Sequence, residues 1–208
     1  MPKKTTILIL ILATVTGILL FLAVTENKKS GAPTTTPVPT KKPVEKTAKV
    51  FFNPQNIDLS SAAGSAVSTV EILVDTGGSQ IAGVQVEAQY DPKSLTSLSL
   101  IPAAHSQGFF GSQANILFNE IIPSTGRISF AIAISPDQSP KNGVGKIATL
   151  SFQRNFNATS SATIISFLDK TIVTILGENE SVLKESVPLN IILSTQTSQP
   201  FIPPVYTQ

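Results

Sequence analysis

Residues 81–95 read IAGVQVEAQYDPKSL. Val84, Val86, Ala88 and Tyr90 alternate with Gln85, Glu87 and Gln89. That period of two sends one row of side chains into a core and the other to the opposite face of a β-strand. The run stops at Asp91-Pro92. The aspartate can accept hydrogen bonds from N–H groups two or three residues on, and the proline fixes φ for a turn. Tyr90 can lie with its ring on the core and its hydroxyl at the edge.

The same period recurs on both sides. Val70, Ile72 and Val74 alternate with Glu71 and Leu73, and Ile128, Phe130, Ile132 and Ile134 alternate with Ser129, Ala131 and Ala133. Ala148, Leu150 and Phe152 alternate with Thr149 and Ser151, and Val187, Leu189, Ile191 and Leu193 close the series. Turn signals punctuate the runs: Gly77-Gly78, Ser124-Thr125-Gly126, Asn142-Gly143 and Gly177-Glu178-Asn179. Gly143 and Gly145 flank a strand start, where glycine permits a bulge or a close approach of backbone. Short strands at regular spacing predict an all-β sandwich over residues 50–193. About 145 residues suffice for one sizeable core, and with no cysteine the core alone must stabilise it.

Upstream the chemistry changes. Residues 7–24, ILILILATVTGILLFLAV, carry no charge and as a helix would span about 27 Å, near the thickness of a bilayer's hydrocarbon core. Lys3 and Lys4 precede the run, as they would in a signal peptide, but the run is longer than a signal sequence's apolar region, and FLAVTENKK offers no Ala-x-Ala site. An uncleaved transmembrane anchor is therefore expected, with secretion after signal-peptide cleavage as the alternative. Absence of a glutamate from the run argues against a pilin-type subunit. Lysines flank the run equally, so charge does not orient it. Residues 25–49 are rich in Pro, Thr and Lys, cannot bury a core and read as an extended stalk. A stalk makes sense if the β domain is displayed outside the cell. The expected layout is a cytoplasmic N-tail at 1–6, an anchor at 7–24, a linker at 25–49, the β domain at 50–193 and a loose tail at 194–208.

Charge excludes one class. From Val50 onward there are seven cations against eleven carboxylates, a net charge of −4, and no cluster of cations. A nucleic-acid binder needs such a cluster to displace counterions.

The order of these pieces resembles the cohesin family. The match starts at the first strand, VFFNPQNIDLSSAAGSAVSTVEILVDT, continues through IAGVQVEAQYDPKSL with its Y-D-P-x-x-L ending, then GRISFAIAI, then GVGKIATLSFQ, which resembles the family's G-x-G-x-(I/L)-A-x-(L/I)-x-F signature. It covers about residues 50–193. The resemblance implies a nine-stranded jelly-roll β-sandwich, related in architecture to several carbohydrate-binding modules, and a non-catalytic role holding a protein partner of dockerin type through one face. In the best-known dockerin-binding class the strand before the Y-D-P turn presents an Asn and an Asp. Gly83 and Gln85 stand at the matching positions here, so the partner differs or is recognised another way.

The candidate binding residues follow from the strand faces. Ser129, Ala131 and Ala133 suggest a flat face that another surface can approach closely, and Gln85, Glu87 and Gln89 a polar stripe one strand away. The alternative function, binding of carbohydrate for polysaccharide attachment or catabolism, needs exposed aromatic rings. Phe109 and Phe110, in QGFFGSQ, are the candidates, against burial as a loop plug. A surface-appendage subunit whose copies pack together is a third reading. Catalysis is not expected. His105 is a lone histidine, no G-x-S-x-G, H-E-x-x-H or Gly-rich phosphate loop occurs, and nothing pairs Glu120 with Asp137 as glycosidase carboxylates. No cofactor is expected, and no metal site, since there is no Asp-x-Asp-x-Asp ladder. Asn157-Ala158-Thr159 and Asn179-Glu180-Ser181 match the glycosylation acceptor pattern, which is common by chance.

Overall fold

The computed structural model describes residues 14–16, 18–21, 43–61, 66–103 and 108–194. The chain divides into two units, Met1–Pro43 and Val44–Gln208. In the first, residues 14–16 and 18–21 are helical. Among the described residues no helix is long and apolar enough to cross a membrane, and most of the expected anchor at 7–24 lies outside them. His105 also lies outside them.

The second unit is a sandwich of two sheets, built from twelve strand segments. They are β1 (Ala48–Asn53), β2 (Asn56–Asp58), β3 (Val67–Asp75), β4 (Ile81–Gln89), β5 (Leu95–Pro102), β6 (Asn115–Ile122), β7 (Arg127–Ala133), β8 (Val144–Arg154), β9 (Ala162–Phe167), β10 (Ile172–Ile175), β11 (Leu183–Val187) and β12 (Leu189–Ile192). One sheet has the order β11-β1-β3-β8-β5; the other has the order β2-β12-β9-β4-β7-β6, with β10 also on β4. The first strand begins at Ala48, slightly ahead of the boundary expected at residue 50.

Three pairs of segments are interrupted single runs, so the twelve reduce to nine. β1 and β2 flank Pro54, β11 and β12 flank Pro188, and β9 and β10 both lie along β4. Proline has no N–H for a ladder, and at Pro54 and Pro188 the first and last runs each leave one sheet and join the other. They do so together: β1 pairs parallel with β11, and β2 parallel with β12.

The expected inward rows form the core. Val70, Ile72, Val74, Val84, Val86, Ala88, Tyr90, Ile128, Phe130, Ile132, Ile134, Ala148, Leu150 and Phe152 are all buried. In the last row Leu189, Ile191 and Leu193 are buried but Val187 is half-buried. It precedes the crossing at Pro188 and pairs with Phe51, itself half-buried between the core residues Val50 and Phe52. Phe52 stacks on Phe167 with ring centroids 4.7 Å apart, joining the first run to β9. Because the core cluster is drawn from Ala48 to Leu193, the unit Val44–Gln208 has its own core, which is what a domain needs to fold by itself.

Candidate protein-binding face

β4 lies inside its sheet, with β7 along one side and β9 and β10 along the other. Ile81, before a register shift, belongs to the core, but from Gly83 to Gln89 the odd-numbered residues face away from it. Opposite them across the β4–β7 ladder stand Ala133 against Gly83, Ala131 against Gln85, Ser129 against Glu87, and Arg127 against Gln89. Six residues singled out from the sequence, Gln85, Glu87, Gln89, Ser129, Ala131 and Ala133, thus share one face.

That face has two chemically different halves. In the polar half Glu87 is only 5% exposed. Its Oε2 accepts hydrogen bonds from Arg127 Nε at 3.0 Å and Nη2 at 2.8 Å and from Ser129 Oγ at 2.7 Å, and its Oε1 accepts one from Gln85 Nε2 at 3.2 Å. The Glu87 backbone is held too: its N–H donates to the Thr171 hydroxyl at 3.1 Å, and its carbonyl accepts from Leu168 N–H at 2.7 Å. Burial pushes the Glu87 carboxyl up, but the Ser129 hydroxyl, the Arg127 guanidinium and the Gln85 amide together outweigh it, and the pKa is lowered. A carboxylate so fully supplied with donors is a fixed part of the face, not a general base. Gln89, exposed, donates from Nε2 to the Thr125 carbonyl at 2.6 Å.

The apolar half is a shallow depression of about 190 Å³. Gly83, Ala131 and Ala133 form its floor, and Ile172, Leu117 and Phe118 stand around it. The floor is low because Gly83 lacks a Cβ, which would lie 3.0 Å from Ala133 Cβ and 3.2 Å from Thr174 Oγ1. The wall is raised by a bulge in β6 between Ile116 and Phe118, which leaves Leu117 64% exposed. Leu117, Phe118, Ile172 and Arg127 were not signalled as site residues by the sequence. Three of them lie on segments where bulges or breaks hide the strand period.

The two aromatic candidates lie elsewhere. Phe110 is 1% exposed and belongs to the core, so its ring has no free face for a sugar. Phe109, half-buried, meets it edge-on at 5.0 Å and packs over Gly145, where a Cβ would strike the ring. This is the loop plug, and the glycine of GVGKIATL makes room for it. Glu120 lies on β6 opposite Ser129, and Asp137 in the turn after β7. Among the described residues no three His, Cys, Asp or Glu side chains gather as a metal site.

No protein-family model matches the sequence, and no curated protein matches it. Solved structures do. The chain is similar to a type I cohesin–dockerin complex of Clostridium thermocellum, Coh-OlpC with Doc435, with a TM-score of 0.58 at 12% identity over 74% of this chain and 97% of that one. It is similar to CaCohA2 of Clostridium acetobutylicum in complex with a variant of CaDoc0917, with a TM-score of 0.57 at 16% identity over 71% of this chain and 100% of that one. It is also similar to the third ScaC cohesin bound to the ScaB dockerin of Acetivibrio cellulolyticus, with a TM-score of 0.54 at 18% identity over 71% of this chain and 99% of that one. The sandwich therefore has the cohesin fold.

Proposed function

We propose that this chain is a non-catalytic binding module which holds a protein partner of dockerin type on the outer face of β4 and β7. The observation that carries the reading is that face itself. An apolar hollow floored by small residues adjoins a saturated polar network, the core-and-rim anatomy of a protein interface. Cohesins of the same fold are seen in complex with dockerins, which supports this class of partner. With the Glu87 carboxylate already committed to Arg127 and Ser129, affinity rests on an apolar group entering the hollow. We further propose that residues 7–24 anchor the chain in the cytoplasmic membrane, that 25–49 form its stalk, and that the β domain lies outside.

The test uses residues 43–208 immobilised against the source organism's envelope fraction, with calcium and then with chelator. Expected is capture of a protein carrying paired calcium-binding loops, its release on chelation because dockerins fold around calcium, and loss of capture with Leu117→Asp. Capture that survives both Leu117→Asp and chelation would sink the dockerin-type reading. In the same fractionation the full chain should stay in the membrane pellet after an alkaline wash. Recovery in the wash, or trimming of residues 1–24 from the mature protein, would overturn the anchor.

A further inference from the structure

On one side of the sandwich the two sheets end together, one at β5 and the other at β6. The two edges are clasped at one point, where Asn119 Nδ2 on β6 donates to the Leu100 carbonyl on β5 at 3.0 Å. Toward the turn that joins β4 to β5 the regular pairing fails. β5 shifts register on β8 between Thr96 and Ser99. Within that shift Ser97 takes φ +54°, the one described non-glycine residue at positive φ. Side chains rarely adopt that region, and residues held there gather at ligand sites.

Between this irregular stretch and the end of β6 lies a cavity of about 460 Å³. Its size falls within the roughly 300–1,000 Å³ of small-ligand sites. Leu95, Leu98, Ile121 and the rings of Pro92 and Pro123 are its apolar lining. Leu98 and Ile121 are half-buried and pack on the core, so the cavity is an inlet toward the core. Its polar side chains are those of Tyr90, Thr96 and Ser97, and no charged residue lines it.

Tyr90 gives the cavity its chemistry. The residue belongs to the core and is 4% exposed. Among the described residues its hydroxyl has no hydrogen-bond partner, yet it is not sealed from solvent. It therefore opens onto the cavity that the residue lines. Burial pushes the Tyr90 hydroxyl's pKa above its ordinary value, so at neutral pH it keeps its proton and can donate. A donor in such surroundings gains more from an acceptor than one in open water does.

The lining fixes the class of ligand. With no charged group to pair with, an ion entering the cavity would lose its hydration without compensation. With three hydroxyl-bearing residues against five apolar ones, a molecule rich in hydroxyls would leave most of them unbonded. We propose that this cavity binds a small uncharged molecule, apolar over most of its surface, that accepts one hydrogen bond from the Tyr90 hydroxyl. A ketone or ester carried on a hydrocarbon ring is the simplest example. The site lies between the sheet edges, not on the outer face of β4 and β7, and does not rest on the protein-partner reading.

The experiment titrates residues 43–208, isotope-labelled for NMR, with acetophenone and with cyclohexyl methyl ketone. Toluene, which has no acceptor, and benzoate, which is charged, are the controls. At least one ketone should move the amide resonances of residues 95–98 and 121–122 saturably and show nuclear Overhauser contacts to the Leu98 and Ile121 methyl groups. Toluene and benzoate should bind more weakly. Tyr90→Phe should weaken the ketone about fivefold, the value of one hydrogen bond, and leave toluene unchanged. Because the hydroxyl has no partner in the fold, the same variant should keep its melting temperature and its capture of a protein partner. The proposal is overturned if neither ketone moves those amides, if toluene or benzoate binds as well as the ketones, or if Tyr90→Phe binds the ketone undiminished. A marked fall in melting temperature with Tyr90→Phe would also overturn it, since the hydroxyl would then be bonded within the fold.

Discussion

Glu87 is read from the sequence as one of three polar residues on an outward stripe, and it does lie on that face. Its burial was not legible, because Arg127 and Ser129, which hold it, are 40 and 42 positions away. A substitution separates its charge from its shape. Glu87→Gln keeps an acceptor but loses the ionic bonds to Arg127, and should lower stability by about 1–2 kcal/mol at neutral pH. The native pKa of Glu87 is depressed below its ordinary 4.5, so its contribution is fully present above that value. It is lost as pH falls through the lower native pKa. Urea unfolding of both proteins across pH should show the difference closing in acid. A difference that stays constant with pH would show that the carboxylate's charge is not what matters. Asp91 was the more legible residue, because its partners at Lys93 and Ser94 are local.

Among elements, β3, β4, β7 and the 148–152 part of β8, past its bulge at Ile147, were legible through their alternating rows, and β5, β6, β9 and β10 were not. The reasons are local. β5 shifts register between Thr96 and Ser99, β6 bulges at Leu117, and residues 168–171 leave the sheet between β9 and β10. Each break flips the phase of a period-two pattern. The same breaks carry much of the candidate site, since Leu117, Phe118 and Ile172 sit on them. The hairpin between β6 and β7 was legible through Gly126. It has φ +68°, and a Cβ there would collide with the Tyr90 carbonyl oxygen. Gly126→Ala should therefore cost about 1–3 kcal/mol and should broaden or shift the β4–β7 resonances. Unchanged thermal stability would mean that the turn can relax away from Tyr90.

On the scale of the molecule, the sandwich and its cohesin-like order were readable because a core leaves a periodic record in every strand that borders it. The outer face of β4 and β7 was readable through its alternate residues, but its wall of Leu117, Phe118 and Ile172 was not, because it is assembled from residues distant in sequence that share only a place on the surface. Leu117 illustrates the gap. In sequence it is one apolar residue among several, and only the fold shows that it stands exposed beside a hollow lined by Gly83, Ala131 and Ala133.

The pairing of the first and last runs has a mechanical meaning. The chain enters along β1 and leaves along β12, and these runs lie parallel, so their outer ends are at opposite poles. Tension between a surface attachment and a load beyond residue 194 would pull the two runs past each other along their length. The ladder bonds of β1 with β11 and of β2 with β12 would then be loaded together in shear, where a hairpin pulled from one end would open bond by bond. Single-molecule stretching from residues 43 and 194 should show a higher unfolding force than stretching the same domain from residue 43 and the Gly77-Gly78 turn. Equal forces would mean that the terminal runs do not act as a clamp. A module built this way would be hardest to unfold along the axis on which its own chain pulls.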